Sequence, residues 1–156
     1  MPNREDIFYI DSQRDTHFTD ALVSGASEYE NFAYAQAGNF SVFLTSIRMT
    51  TATNHRFTVA VYSRDVHHQR LSATPYQGAL IDYWEWASAD AWATATEYVY
   101  SVTGLRIPVL DEDNTGELHI GLHNRANETK AALGAALPAG VPPQFIQMRF
   151  GLIAAL

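Results

Sequence analysis

Histidines, a run of acids and a pair of tryptophans are the residues in this chain whose types could do chemistry. Their spacing limits what each could do. His119 and His123 are four apart. On a helix they would stand one above the other and could chelate zinc. On a strand they share a face but lie ~13 Å apart at ~3.3 Å per residue, too far for one ion to bridge. His67 and His68 are neighbours and diverge in extended chain. The chain has no His-x-His element followed by a spaced Glu and a later His, as cupin enzymes use. The histidines read as polar or interface residues, and no metal site is expected.

Asp111, Asp113 and Thr115, followed by Gly116, have the opening of a calcium loop. An EF-hand needs a carboxylate at the twelfth position, where this chain has Leu122. Sandwich lectins also hold calcium in acidic loops. The plainer reading is an acidic β-turn with Asn114 or Gly116 at positive φ. Asp82, Tyr83, Trp84, Glu85 and Trp86 suggest carbohydrate, because aromatic faces stack on sugars and paired carboxylates hydrolyse glycosides. On a strand, however, Asp82, Trp84 and Trp86 share one face and Tyr83 and Glu85 the other. The two acids cannot pair without a bulge. Trp84 and Trp86 side by side suit a core, a subunit interface or a sugar platform. Serine nucleophile elbows, phosphate loops and dinucleotide fingerprints are absent. No catalytic residue and no cofactor is expected. Asn39-Phe40-Ser41 and Asn127-Glu128-Thr129 match the glycosylation sequon by chance.

The elements that must position these residues follow from period-two alternation. Leu118, Ile120 and Leu122 point one way, and His119, Gly121 and His123 the other. Residues 144–153 repeat the pattern, with Ile146, Met148, Phe150 and Leu152 on one face. Further strands are expected at 27–36, 40–51, 56–63, 79–87 and 96–103, a weak one at 17–23, and a short one within 104–110 limited by Pro108. In 40–51, Phe40, Val42 and Leu44 oppose Phe43, Thr45 and Ile47. In 56–63, Phe57, Val59 and Val61 point inward. Residues 64–78 and 125–141 read as long loops, 88–95 as a connector that Ser88 could cap, and Gly38-Asn39 and 53–55 as turns. The expected fold is all-β, an antiparallel sandwich of the jelly-roll type, whose sheet crossings would use the long loops. Alternation alone does not separate that topology from another Greek-key sandwich. Leu118, Ile120, Leu122, Ile146, Met148 and Phe150 are expected core.

The chain has 156 residues, suited to one sandwich domain over 17–156 preceded by an N-terminal arm over 1–16. The arm is polar apart from Ile7-Phe8-Tyr9-Ile10, which could add an edge strand or dock elsewhere. Aromatics are plentiful, with 3 Trp, 8 Tyr and 8 Phe, as suits sheets. Net charge is −7, and Lys130 is the only lysine. Without a basic stripe, neither nucleic-acid phosphate nor an anionic membrane is expected as a partner. Cysteine is absent, which excludes disulfides and thiolate chemistry. Met1 to Asp6 lack the apolar region of a signal peptide, and no apolar run approaches the ~20 residues of a membrane span.

Leu118-His119-Ile120-Gly121-Leu122-His123-Asn124-Arg125, then a loop rich in Ala and Gly, then the closing strand Phe145 to Leu152, resembles the end of small β-sandwich virion proteins of tailed bacteriophages. The capsid cement or decoration proteins are the group it is similar to. The resemblance covers residues 96–156. It implies that strand 117–124 packs against the C-terminal strand inside a jelly roll, and it implies no catalytic residues. It further implies a non-enzymatic virion protein on the capsid surface, bound to the major capsid protein as a homo-oligomer, a trimer. Ile7, Phe8, Tyr9 and Ile10, from the apolar patch of the arm, and Trp84 and Trp86, from the tryptophan pair, are the expected interface residues. The alternative from a different class is a carbohydrate-binding sandwich module, lectin-like or part of a phage fibre or tail, with Trp84, Trp86 or Tyr76 stacking on sugar. A third reading is a small jelly-roll enzyme with a histidine-bound metal.

Overall fold

The computed structural model describes residues 7–13, 17–18, 27–34, 41–52, 56–66, 76–94, 97–124 and 145–154. Ten strands run through them: β1 Phe8–Asp11, β2 Ser27–Ala33, β3 Val42–Thr51, β4 Phe57–Tyr62, β5 Leu80–Trp86, β6 Trp92–Ala93, β7 Tyr98–Val102, β8 Ile107–Pro108, β9 Glu117–Asn124 and β10 Ile146–Ala154. Single 3-10 turns at Gln77–Ala79 and Ser88–Asp90 are the only helical pieces among the described residues. The expected weak strand at 17–23, the turns at 38–39 and 53–55, Phe40, and the loop 125–141 lie wholly or mostly outside the described residues.

Two antiparallel sheets result, one ordered β1-β10-β3-β7-β6 with β8 also on β3, the other β2-β9-β4-β5. First pairs with last, β1 with β10. Moving inward along the chain, β2 pairs β9, β3 pairs β7 and β4 pairs β5. This nesting is a hairpin of paired strands rolled over a core, the jelly-roll arrangement. Hydrogen-bond register decides the topology that alternation left open. The arm's apolar patch supplies the first strand of the roll. Ser12 extends that pairing, its N–H donating to Met148 O at 2.8 Å and its hydroxyl accepting from Met148 N at 2.7 Å.

The core lies between the sheets. Leu118, Ile120, Leu122, Ile146, Met148 and Phe150 are all buried in it, as expected. So are Phe57, Val59 and Val61. Rings meet across the sandwich: Phe32 with Phe150 at 5.2 Å between centroids, Trp86 with Tyr100 at 5.6 Å and Phe57 with Tyr100 at 6.1 Å. Strand 117–124 and the closing strand lie in opposite sheets, and both contribute side chains to the one core. Such edge-to-face and tilted pairs add to the area buried.

Two expectations need correction. First, Ile47 does not oppose Val42 and Leu44; all three are in the core. The register steps from Gly151↔Ser46 to Leu152↔Leu44, so Thr45 is an extra residue. A one-residue bulge inverts the facing of everything beyond it. Second, of the two readings of His119 and His123, polar or interface, burial leaves the polar one, in an interior and not at an interface. They are 2% and 0% exposed. The outer face of the four-stranded sheet carries a second buried cluster, Tyr29, Ala60, Tyr62, Val66 and Ala79, with Tyr76 and Leu80 packed on it. The chain between β4 and β5 brings Val66 and residues 76–80 over this face. All six residues of β4 are buried as a result. Alternation in β9 marked two interiors, one apolar and one polar.

Candidate functional site

The polar interior explains the histidines. His123 Nδ1 is 2.8 Å from Ser27 Oγ and Nε2 is 3.2 Å from Tyr62 OH. The Tyr62 hydroxyl accepts from Tyr76 N–H at 3.2 Å, which leaves its own proton for His123 Nε2. Nδ1–H then donates to Ser27. His119 Nδ1 donates to Asn31 Oδ1 at 2.8 Å, and its Nε2 lies 3.4 Å from Asp111 Oδ1. Buried polar atoms that are paired in this way fix a register and a loop position. Burial, then the adjacent Tyr29, push the Tyr62 phenol well above the ordinary tyrosine range. Burial also raises Tyr34, helped by the charge of Asp111.

This predicts an alkaline weakness. The folded state holds the Tyr62 proton more tightly than the unfolded chain, whose tyrosines titrate near pH ~10. The stability this contributes is full below that pH and is lost as pH rises above it. Urea midpoints measured from pH 8 to 11 should fall above pH ~10, with a shallower fall for Tyr62→Phe. Equal slopes would show that Tyr62 is not the group responsible.

The acidic turn is a latch. Asn114 (φ 55) and Gly116 (φ 72) both take the left-handed conformation. Asp111 Oδ2 accepts from Gly116 N at 2.6 Å. Glu112 accepts from the Ser63 hydroxyl and lies 3.9 Å from the Arg64 guanidinium. Asp113 accepts from Asp65 N at 3.0 Å. Each carboxylate thus meets a donor of the protein, and the turn clamps the segment that leaves β4. Among the described residues no cluster of three or more His, Asp or Glu side chains is arranged to hold a metal.

The tryptophan pair faces inward. Trp86 is buried against Tyr100, and Trp84 is half-buried on the same core. Their partners across the strand are Phe57 and Val59. Asp82 shares their face, while exposed Tyr83 and Glu85 point away, so the two acids stay apart. In the arm strand, Phe8 and Ile10 pack on the core, whereas Ile7 and Tyr9 are 51% and 54% exposed.

Among the described residues, the outer face of the six-stranded sheet brings charged, hydroxyl and aromatic side chains together. Register places Asp11, Arg149, Arg48 and Ser101 in one row across β1, β10, β3 and β7. Arg149 makes a two-point ion pair with Asp11, at 2.7 and 3.1 Å, and its guanidinium lies 5.2 Å from the Tyr9 ring centroid. The Asp11 carboxylate holds the Arg149 pKa above its ordinary value. Tyr9 is the register partner of Gly151, where a Cβ would crowd the Ser46 and Thr45 hydroxyls and come within 3.4 Å of the Tyr9 ring. Trp92, 69% exposed, stands on β6 at the opposite side of the sheet. Between these aromatics lies a cavity of about 620 Å³ lined by Tyr9, Ser46, Arg48, Asp90, Trp92 and Arg149 among others. Sequence reading placed Tyr9 in an interface but passed over Arg48, Arg149 and Trp92. The alternation of Arg149 with buried Met148 and Phe150 was a legible signal; Trp92 sat in an expected connector and gave none.

These features define the chain as an all-β protein of two antiparallel sheets with jelly-roll strand order. No protein-family model matches it, and no curated protein matches it. Among solved structures it is similar to one named Desmodium yellow mottle tymovirus, at 9% identity and TM-score 0.31, covering 99% of this chain and 90% of that one. It is also similar to a structure of infectious bursal disease virus Gx strain, at 13% identity and TM-score 0.36, covering 97% of this chain and 32% of that one. Likeness at this level supports no statement about what the chain does.

Proposed function

We propose that the protein is a non-enzymatic virion component, a cement or decoration protein that stabilises a capsid by binding between its subunits on the outer surface. The observation that carries the reading is the arm strand. Among the described residues β1 pairs only with β10, and the side chains of Ile7 and Tyr9 are exposed. An exposed edge carrying apolar and aromatic groups is a template for pairing with another chain. The partner in this reading is the major capsid protein, and the protein acts as a homotrimer. Burial of the edge across a subunit boundary would oppose separation of the shell. Trp84 and Trp86 contribute by holding the sandwich rigid from within, and the grip itself falls to Ile7 and Tyr9. The resemblance of residues 96–156 to phage cement proteins is consistent with this role.

Deletion of residues 2–11 tests it. Ser12 and its two bonds to Met148 stay, so the remaining nine strands are expected to fold. Co-sedimentation with capsids prepared without the protein should drop at least ten-fold for the truncated form, while its circular dichroism stays that of a sheet protein. Equal binding of the two forms would remove the arm from the mechanism. A full-length chain that binds no capsid would overturn the proposal as a whole.

A further inference from the structure

We infer that the outer face of the six-stranded sheet is a binding groove for a neutral oligosaccharide. The groove shares Tyr9 with the capsid grip proposed above, but its centre and far side, Arg48 on β3 and Trp92 on β6, lie away from β1. Four observations carry it. The groove, about 620 Å³, falls in the size range of small-ligand sites. Its lining is that of a sugar site: hydroxyls of Ser46, Ser101 and Thr103, planar charged groups, and an aromatic at each side. Trp92 is the most exposed large hydrophobic side chain among the described residues, and Tyr9 is held in place by Arg149. Arg48, at the centre, makes no ion pair and no side-chain hydrogen bond among the described residues, so its guanidinium donors are free for a ligand that accepts.

Charge selects the ligand class. Arg48 and Arg149 are offset on the same face by Asp11, Asp90 and Glu97, so the face carries no net positive charge. The groove therefore has no field favouring an anion, while it offers charge-assisted donors and acceptors side by side. Sugar hydroxyls use both, and the C–H faces of pyranose rings stack on exposed aromatics. The core of a protein–protein contact is by contrast depleted of charge. β1 and β6 are four strand spacings apart, roughly 19 Å at ~4.8 Å each, so a chain of several rings is needed to reach from Tyr9 to Trp92. The sugar platform thus lies on Trp92, and not on Trp84 and Trp86, which are turned to the core.

Affinity electrophoresis of the full chain in native gels containing soluble xylan, glucomannan, mixed-linkage β-glucan or starch tests this, with polygalacturonate as the acidic comparison. At least one neutral polymer should retard the protein. Trp92→Ala and Arg48→Gln should each weaken the retardation at least ten-fold. Both residues stand on the outer face, so circular dichroism and melting temperature should match the parent. No retardation by any neutral polymer would overturn the inference. So would retardation by polygalacturonate alone, or retardation that both variants leave unchanged. Self-association that Trp92→Ala abolishes, without any retardation of the parent, would assign the face to a second copy of the chain and overturn it equally.

Discussion

Phe150→Ala lowers the stability of the sandwich by about 3–5 kcal/mol. The side chain is fully buried, and its ring lies 5.2 Å from that of Phe32 on the opposite sheet. In register it sits between Ile10 on β1 and Ile47 on β3, both packed on the same core. Removing it loses apolar burial and leaves a void, because three strands in one sheet and one in the other fix the walls. For a chain of this length each kcal/mol is worth roughly 2–4 °C, so the melting temperature should fall by roughly 6–20 °C. Calorimetry or urea unfolding measures this. A loss below ~1 kcal/mol would mean that the two sheets do not meet at Phe150.

Gly121→Val is the second large effect, and its sign separates two accounts of that glycine. Glycine inside a strand normally weakens it, and valine is a good strand residue, so propensity alone predicts a gain. The outer-face packing predicts the reverse. A Cβ at 121 would stand 2.7 Å from Tyr62 Cε2 and 2.8 Å from Tyr29 Cε1. Tyr62 is held by His123 and Tyr76, and Tyr29 packs edge-on to it at 5.6 Å. Neither ring can retreat without breaking these contacts. Overpacking of this kind costs about 1–3 kcal/mol, and more when backbone must move. A lowered urea midpoint is expected; a raised one would show that the tyrosine layer over β9 is loose.

The two substitutions probe the two interiors of one strand, and only one of those interiors was legible. Leu118, Ile120 and Leu122 announced the apolar core through simple alternation, as did Ile146, Met148 and Phe150. The face bearing His119, Gly121 and His123 looked like a solvent face because its residues are polar or small. It is buried because Tyr29 and Tyr62 lie over Gly121 while Val66, Tyr76, Ala79 and Leu80 are folded back onto it. Polarity in a sequence does not distinguish water from a hydrogen-bonded interior.

The amino-acid sequence by itself determined that the protein is built of antiparallel strands, where most of them run, and which residues of β4, β9 and β10 form the main core. These are local properties: side chains alternate with a period of two, and turn residues punctuate them. It also placed the acidic turn, since Asn and Gly tolerate positive φ. Tertiary structure alone decided the rest. The jelly-roll order depends on pairings between strands far apart in sequence, β1 with β10 and β2 with β9. The facing of Ile47 depends on one extra residue, Thr45, visible only against the partner strand. The groove on the outer face gathers Tyr9, Arg48, Trp92 and Arg149 from four strands. Each of these residues looks like an ordinary surface residue until the register sets them side by side.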